Sequence, residues 1–513
     1  MRYNGGASPV GCGGWVAGAR GFVKADIAMH GTRRRFTVPG LLVVLCAILA
    51  VPAAQAELEL APLFTEHAVL QADMPIPVWG TAAPGAEVQV ELAGESTTCK
   101  AGESGRWRAN IGALEPGGPY ELVVASSEDG RLSRSDVMIG EVWLASGQSN
   151  MRWRVKHTKT AEKAIERGDR PAIRFFQVKE NAAGRPLQRV AGGSWVRSSP
   201  GTVPGFSAVA YHFACFLRNR LETPVGVIQS AVGGSRVQAW MKRQHFVAHP
   251  SLKPDLEQIK ELEEKHGDLG DVDSPRRTPT VYYNGMIAPL APYAFRGAIW
   301  YQGESNANAR DADRYAEAFS SLISGWRRDW GRNFPFLFVQ LPEYRGPGEH
   351  WMRLREHQRL TRERVDNTAM VVTLGLGNPD DIHPRRKRPV GRRLMHAALA
   401  KAYSRTDVAW SGPIASRATA TSPDDSGKVV VSFGYVKGGL KAKEGGLTGF
   451  EVQDQGGDWR EAEARISGHR VVVRSPVVPE PQAVRYGWSE VPEPSLVSGA
   501  GLPASPFSLP LYR

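Results

Sequence analysis

The stretch GEVWLASGQSNM, residues 140–151, decides how the rest of this sequence is read. An apolar, strand-like run over residues 142–145 stops at a segment of glycine and polar residues, 146–150. An ordinary strand that ends in a turn has the same pattern. Alternatively, Gly147 permits a tight turn that presents Ser149 as a nucleophile at the end of a buried strand. The residues at the ends of the other predicted strands decide between the two.

Strand-like and helical segments alternate through the middle of the chain. The apolar runs VGVIQSA, RGAIWYQG, PFLFVQLPE and AMVVTLGLG begin at residues 225, 296, 335 and 369, and helical patterns cover residues 209–221, 312–326, 354–365 and 390–402. Such alternation predicts crossover units and an α/β fold with a mostly parallel sheet covered on both faces. Ligands bind such sheets beyond the carboxyl ends of the strands.

Two β-rich regions flank this middle part. Short alternating runs split by proline and glycine predict a β-sandwich over residues 57–137, followed by the α/β region over 138–404. A second set of short strands predicts a β-rich domain over 405–513. Within the α/β region, a charged helical insertion at about 250–270 is expected to be a solvated excursion or a lid.

Residues 1–56 have the pattern of an N-terminal extension with an export signal. Three arginines, residues 33–35, precede the apolar run LLVVLCAILAV and the small-residue sequence AQA. Cleavage there leaves Glu57 as the first residue, and the apolar run is shorter than the ~20 residues of a membrane-spanning helix. We therefore expect a periplasmic or extracellular protein, exported by the Sec or the twin-arginine route, with no membrane span in its mature chain.

Charge and composition exclude several other classes of protein. The net charge is +12, and residues 1–56 hold six Lys/Arg and one Asp, which leaves +7 for the mature chain. The basic run HPRRKRPVGRR is typical of a solvated helix face, so we expect no nucleic-acid partner. Cys99 and Cys215 are too few for a disulfide framework. The 12 histidines include no HExxH motif, and no metal is expected.

Two further strands end in residues that can stabilise negative charge. Gly233 and Gly234 come after the run VGVIQSA, and paired glycines let backbone N–H groups approach an oxyanion, although a plain turn has the same pattern. Gln302 stands at the end of the run RGAIWYQG, where its amide can donate to a developing oxyanion. Glu304 can hold a neighbouring group or a substrate hydroxyl.

The last predicted strand of the α/β region, AMVVTLGLG, is followed by Asp381 and His383, which stand two residues apart in one loop. A carboxylate at this spacing can orient an imidazole that serves as the base for a serine. A single histidine beside an aspartate is more often structural. The combination is more informative, because a serine, a glycine turn, an amide donor and an Asp/His pair each stand at the end of a separate predicted strand. Together they indicate nucleophilic catalysis.

Two other functions are compatible with the same residues. Glu304 and Asp381 could form the paired carboxylates of a glycoside hydrolase, which need a separation of ~5–9.5 Å. The 14 tryptophans and the flanking β-rich regions would suit a non-catalytic carbohydrate-binding protein. Such a binder has no need of a base beside a nucleophile, which favours an enzyme.

Several motifs resemble those of the sialate O-acetylesterase family of SGNH-type hydrolases. They are GEVWLASGQSNM, YNGMIAPLAPYAFRGAIWYQGESNA, FPFLFVQLPEY, DIHPRRKRPVGRRL and GLPASPF, and the likeness runs from about Leu58 to the C-terminus. The resemblance implies a flavodoxin-like three-layer α/β/α domain between β-rich regions. It also implies a serine esterase without a cofactor that removes O-acetyl groups from a sugar or glycan, such as acetylated sialic acid or xylan.

The resemblance assigns roles to individual residues. Ser149 would be the nucleophile, His383 the general base and Asp381 the acid that orients it. The backbone N–H of the serine loop would join an oxyanion hole. The predicted oxyanion and substrate-binding residues are Gly233, Gly234, Gln302, Gln148, Glu304 and Asn306.

The chain departs from the family pattern in two places. It has GLGN before the Asp/His loop where the family usually has an acidic segment such as DIGD, which affects local hydrogen bonding but neither Asp381 nor His383. The family's GGT is GGS here, ending at Ser235. Arg236 is next in the chain and would suit a substrate carboxylate or a surface salt bridge.

Overall fold

The computed structural model describes residues 57–421 and 427–512. The predicted leader, residues 1–56, lies outside these ranges, so its part in export stays a prediction. In the two described ranges, no helix is both long enough and apolar enough to cross a membrane.

Strands dominate both ends of the described chain, and helices are concentrated in its middle. The strands are β1 (Glu59–Leu60), β2 (Val69–Gln71), β3 (Ile76–Thr81), β4 (Glu87–Leu92), β5 (Glu95–Lys100), β6 (Arg106–Ile111), β7 (Gly117–Ser126), β8 (Gly130–Gly147), β9 (Arg170–Gln177), β10 (Trp195–Ser198), β11 (Val225–Ala231), β12 (Gly297–Tyr301), β13 (Phe336–Val339), β14 (Thr368–Val371), β15 (Ile414–Ala420), β16 (Lys428–Gly434), β17 (Leu440–Ala442), β18 (Phe450–Gln453), β19 (Trp459–Ser467), β20 (Arg470–Arg474), β21 (Ala483–Tyr486), β22 (Leu496–Ser498) and β23 (Phe507–Pro510). The α-helices are α1 (Ser149–Arg152), α2 (Ala161–Glu166), α3 (Ala208–Leu221), α4 (Arg243–Ala248), α5 (Lys253–His266), α6 (Tyr315–Asp329), α7 (Glu349–Arg364) and α8 (Lys387–Ala402).

The central sheet has the order β10-β9-β11-β8-β12-β13-β14, and its neighbours run parallel except for β10. The predicted α/β fold with a mostly parallel sheet is therefore confirmed. The chain reaches β11 on one side of β8 and then crosses to β12 on the other side. In sheets of this kind the ligand crevice lies where the order reverses, which here is the carboxyl end of β8.

Aromatic contacts show that helices cover both faces of this sheet. Trp143 of β8 packs on Phe213 of α3, with ring centroids 5.1 Å apart. Trp300 of β12 packs on Phe319 of α6 at 5.7 Å. Trp300 is paired with Ser146, three residues along β8 from Trp143, so the two tryptophans project from opposite faces. The helices predicted around residues 209–221, 312–326, 354–365 and 390–402 are confirmed as α3, α6, α7 and α8.

The β-rich regions meet the central sheet in different ways. The N-terminal strands form the sheet β1-β3-β6 and a second group in which β4 pairs with β5 and β7. Strand β7 pairs with the first half of β8, whose second half lies in the central sheet. The predicted boundary at residue 138 thus falls inside one continuous strand. After α8, the order β15-β16-β20-β19-β18-β21-β23 makes an antiparallel sheet with its own buried cluster, which confirms a β-rich C-terminal region.

Candidate active site

Ser149 lies at the carboxyl end of β8, immediately after a turn that requires glycine. Gly147 has a φ of +131°, and a Cβ at this position would lie 2.2 Å from the Tyr301 carbonyl oxygen. The next residue, Gln148, donates its N–H to that same carbonyl at 2.9 Å. Gln148 and Asn150 are buried, whereas Ser149 between them is half-buried at the start of α1. The turn therefore presents the serine and encloses its neighbours.

The glycine pair after β11 lies against this serine. A Cβ placed on Gly233 would be 3.6 Å from the Ser149 Cβ, so the two backbones are close neighbours. Gly234 is exposed and has a φ of +75°. Strands β8, β11 and β12 end level with one another, because Gly147 is paired with both Ala231 and Tyr301. The sheet register thus brings the predicted serine and glycine turns together.

Asp381 and His383 form a short loop whose imidazole rests on an aromatic ring. The backbone N–H of His383 donates to Asp381 Oδ1 at 2.8 Å, whereas the ring nitrogen Nδ1 lies 3.9 Å from that oxygen, too far for a hydrogen bond. The ring stacks on Trp153, with centroids 4.7 Å apart and planes at 14°. Burial and the charge of Lys387 lower the pKa of His383, against the opposing effect of Asp381. A neutral imidazole, able to accept a proton, is the favoured form at neutral pH.

Asn150 joins the serine loop to the Asp/His loop. Its Nδ2 donates to the Ile382 carbonyl at 2.9 Å and to Glu304 Oε1 at 2.5 Å. Its Oδ1 accepts from Lys387 Nζ. Ile382 lies between the predicted acid and base, so one buried amide determines where two candidate catalytic loops stand relative to each other.

The Ser149 hydroxyl and the His383 imidazole belong to these two joined loops but are not hydrogen-bonded. Among the described residues, no hydrogen bond of the Ser149 side chain is formed. Catalytic hydrogen bonds are often loose without substrate and tighten when it binds. The structure therefore joins the two candidate loops, but it contains neither the serine–imidazole nor the imidazole–carboxylate hydrogen bond that would define a triad.

Gln302, Asn306 and Gln148 are buried, and their side chains are hydrogen-bonded to neighbouring loops at the strand ends. Gln302 Nε2 donates to the Ser235 carbonyl at 3.2 Å and to Asn306 Oδ1 at 2.7 Å, so both amide hydrogens have acceptors. Asn306 Oδ1 also accepts from Val237 N–H at 2.9 Å. Gln148 Oε1 accepts from the N–H of residue 305 at 3.2 Å. In this arrangement the three side chains brace the strand-end loops, and Gln302 has no hydrogen left for an oxyanion.

Glu304 and Lys387 form a buried pair on either side of the Asn150 amide. Burial raises the pKa of Glu304, partly offset by the hydrogen bond from Asn150. Burial lowers the pKa of Lys387 to about 7, although Glu304 and Asp381 favour its charged form. The Lys387 ammonium also lies 5.2 Å from the centroid of the Tyr301 ring. Across the described ranges, no group of three or more His, Cys, Asp or Glu residues is arranged to hold a metal ion.

Sequence reasoning missed Lys387 and Trp153. Lys387 belongs to the basic run whose composition indicates a solvated helix face, yet the residue is only 1% exposed. Trp153 stands four residues after the serine, and this spacing is the only signal that could have indicated it.

Arg236 is part of a buried ion-pair cluster and does not form the surface salt bridge that its sequence also allowed. Its Nη2 donates to Asp311 Oδ1 at 2.8 Å and lies 3.4 Å from Asp255 Oδ1. Asp255 belongs to α5, the helix predicted to be a solvated excursion or a lid, and is fully buried. Arg314 binds the same carboxylate at 2.6 Å. The insertion is thus anchored to the loop that comes after the glycine pair.

The sequence and the fold of this chain are similar to those of known proteins. A family profile described as "Carbohydrate esterase, sialic acid-specific acetylesterase" matches residues 139–400. Sialate O-acetylesterase of Rattus norvegicus is 30% identical over 391 residues, and that of Mus musculus 31%; each alignment covers 66% of this chain and 72% of the relative. The crystal structure of a carbohydrate acetylesterase from Xanthomonas citri matches with a TM-score of 0.79 and 37% identity, covering 88% of this chain and 99% of its own.

The strand-end serine and these similarities together define a carboxylic ester hydrolase. The predicted resemblance is confirmed, because the profile covers half of the chain and the relatives align over most of their length. The chain belongs to the sialic acid-specific acetylesterase family of carbohydrate esterases. Neither a glycoside hydrolase nor a non-catalytic binder is favoured by these matches.

Proposed function

We propose that the protein removes O-acetyl groups from carbohydrates, on acetylated sialic acid or on a polysaccharide such as xylan, through a Ser149–His383–Asp381 triad on an SGNH-type three-layer domain. The observation that carries the proposal is the Asn150 amide, which ties the serine loop to the Asp/His loop. The proximity of Gly233 to Ser149 gives it further support.

The proposed reaction is acyl transfer to water in two steps. Ser149 Oγ attacks the acetyl carbonyl carbon while His383 accepts the hydroxyl proton, and Asp381 stabilises the imidazolium. The backbone N–H groups of Gly233 and Gly234 would stabilise the oxyanion. His383 then protonates the departing sugar oxygen, which leaves an acetyl-serine. A water molecule, deprotonated by His383, attacks this ester, and collapse releases acetate and restores the serine.

Acetate release across a panel of O-acetylated sialosides and polysaccharides tests the reaction and names its substrate. We expect Ser149→Ala to stay folded and to lose on the order of 10⁴-fold or more in kcat. Ser305→Ala, which alters a half-buried serine in a neighbouring loop, is the matched control and should keep its activity.

Labelling with a serine-directed organophosphonate distinguishes an esterase from a binder. The wild-type chain should gain one label at Ser149, and a chain that releases no acetate and takes no label would contradict the proposal. Release of reducing sugar, lost in Glu304→Gln, would instead indicate a glycoside hydrolase.

We also propose that the protein is exported to the periplasm or the extracellular space. The support is the sequence pattern of residues 1–56.

A further inference from the structure

A cationic cavity of about 320 Å³ lies between α2, α3 and α8. None of its lining residues belongs to the proposed acyl-transfer machinery. Its charged lining consists of Lys163, Arg167, Arg170 and Arg388, and no aspartate or glutamate of residues 57–421 and 427–512 lines it. Four cations around one cavity repel one another unless an anion is present. The charge of the lining therefore matches a negatively charged ligand.

The buried wall of the cavity holds an unused hydrogen-bonding group. His212 of α3 is 6% exposed, and its Nε2 has no hydrogen-bond partner within the part of the chain that the structure describes. Burial, followed by the charges of Arg388 and Arg170, lowers the pKa of His212 to about 4. Arg388 of α8 and Arg170 of β9 line the same cavity as this imidazole. A buried polar nitrogen without a partner is costly, and a bound oxyanion would accept its N–H.

The rest of the lining suits an organic body beside the charge. Phe216 provides an aromatic surface, and the Arg388 guanidinium carbon lies 5.1 Å from the centroid of its ring. Asn219 offers an amide at the same cavity. Apolar walls with a few convergent polar groups are typical of small-molecule sites, and the volume is within their range.

We infer that this cavity binds a compact anion through a carboxylate or phosphate group, with Arg170 and Arg388 as its charged partners and His212 as an N–H donor. Such a group could belong to an acidic sugar or to inorganic phosphate, and both offer the same oxyanion chemistry. The inference does not depend on the identity of the acyl-transfer residues.

Calorimetric titration of the full chain with free sialic acid, glucuronate, inorganic phosphate and neutral glucose tests the inference. At least one anion should bind saturably, whereas glucose should not. Arg170→Gln and Arg388→Gln should each weaken binding by about tenfold or more, because each removes a charged hydrogen-bond partner. Lys163 is exposed, so Lys163→Gln should not disturb folding. This variant should also weaken binding of the anion.

Matched controls come from the same helices. Arg220 of α3 and Arg392 of α8 are exposed and do not line the cavity, so Arg220→Gln and Arg392→Gln should bind the anion as the wild type does. Binding of phosphate alone would identify the ligand as free phosphate, and binding of the sugar acids alone would identify it as an acidic sugar. The inference is overturned if no anion binds, or if the cavity variants and the controls bind equally.

Discussion

Asn150 uses both hydrogens and the oxygen of its side-chain amide, and each contact reaches a different part of the candidate site. The hydrogen bond to the Ile382 carbonyl connects Asn150 to the Asp/His loop. The hydrogen bonds with Glu304 and Lys387 fix the orientation of the Asn150 amide. A small displacement of catalytic groups can reduce the rate about 10²-fold. We therefore expect the alignment of Ser149 and His383 to depend on Asn150, a residue that takes no part in the proposed chemistry.

Asn150→Ala should lower kcat on an acetylated sugar by about 10–100-fold with little change in the labelling stoichiometry at Ser149, because the nucleophile remains but its base is displaced. Steady-state kinetics and mass spectrometry after phosphonate treatment measure the two effects. Asn308→Ala, in a neighbouring loop, is the control. Unchanged kcat in a folded Asn150→Ala variant would show that the bridge has no role in alignment.

Burial and, after it, the charge of Lys387 lower the pKa of His383, the proposed base, and so affect the pH range in which it can accept a proton. A positive charge beside an imidazole disfavours its protonated form, and the Lys387 charge contributes to the lowered pKa of His383. The acidic limb of the kcat/KM profile should therefore lie below the ordinary histidine value of about 6.5. Lys387→Met removes the charge, so the pKa of His383 should rise and the acidic limb should move to higher pH.

A kcat/KM profile against pH measures this shift. Lys260→Met, which removes an exposed charge from α5, is the control and should leave the profile unchanged. If the acidic limb of Lys387→Met stays in place or moves to lower pH, the assigned electrostatic role is wrong.

Sequence patterns predict some residues of the candidate site and miss the position or hydrogen bonding of others. Ser149, Gly233, Asp381 and His383 stand at strand ends, and strand ends of one sheet can be inferred from apolar runs. Lys387 could not be inferred, because its burial depends on the exact start of α8 and on a partner 237 residues away. The sequence predicts Gln302 as an oxyanion donor, but its hydrogens are engaged by groups that no local pattern reveals.

At the scale of elements, β9 and β10 are the two strands of the central sheet that the sequence patterns did not predict, and β9 shows why. Its segment RPAIRFFQ contains Pro171 and Arg174, which interrupt an apolar run. The Arg174 side chain is nevertheless 1% exposed, and its Nη2 binds Asp136 Oδ1 at 2.8 Å. A buried cation is tolerated in a strand when a carboxylate and carbonyls accept its hydrogens. Such a partner lies in another strand, so the compensation cannot be inferred from the segment alone.

Asp136→Asn should lower the free energy of unfolding by about 3 kcal/mol at neutral pH, because it leaves the buried Arg174 without its anion. Burial raises the pKa of Asp136, but hydrogen bonds from His67, Arg197 and Arg174 outweigh it and keep the pKa below its ordinary value. The wild-type carboxylate thus stabilises the fold at neutral pH and loses this effect as the pH falls through its folded pKa. The difference in the free energy of unfolding between the wild type and Asp136→Asn should therefore decrease as the pH becomes acidic.

Urea unfolding at a series of pH values measures this difference. Asp458→Asn, which breaks an exposed pair with Arg460, is the matched control, and surface pairs of this kind contribute about 0–1 kcal/mol. An Asp136→Asn variant as stable as the control would contradict the structural role of the pair.

At the scale of the whole molecule, the α/β class could be predicted because strands and helices alternate over the middle of the chain. The β-rich C-terminal region could be predicted because its strands are short and separated by turns. The limits of the domains are harder to predict. The sequence around residue 138 changes its pattern where one strand passes from an antiparallel to a parallel neighbour, and not where a linker begins.

Export and cleavage of the predicted leader, residues 1–56, can be tested by expression in cells. When the full sequence is expressed in a bacterial host, the exported protein should begin at Glu57, as N-terminal sequencing would show. Replacement of Arg33 and Arg34 by lysine should block export if the twin-arginine route is used and should leave it intact if the Sec route is used. Retention of the whole chain in the cytoplasm would contradict the predicted export.

Strand β8 has a consequence for how this esterase can be divided. It spans 18 residues, about 60 Å of extended chain, with the proposed nucleophile just beyond one end and the N-terminal sheet along the other. Cutting the gene near residue 138 would remove β7 and half of β8, and would leave apolar strand edges open to association between copies. We therefore expect the hydrolase region to fold and remain soluble only when it is expressed together with its N-terminal β region.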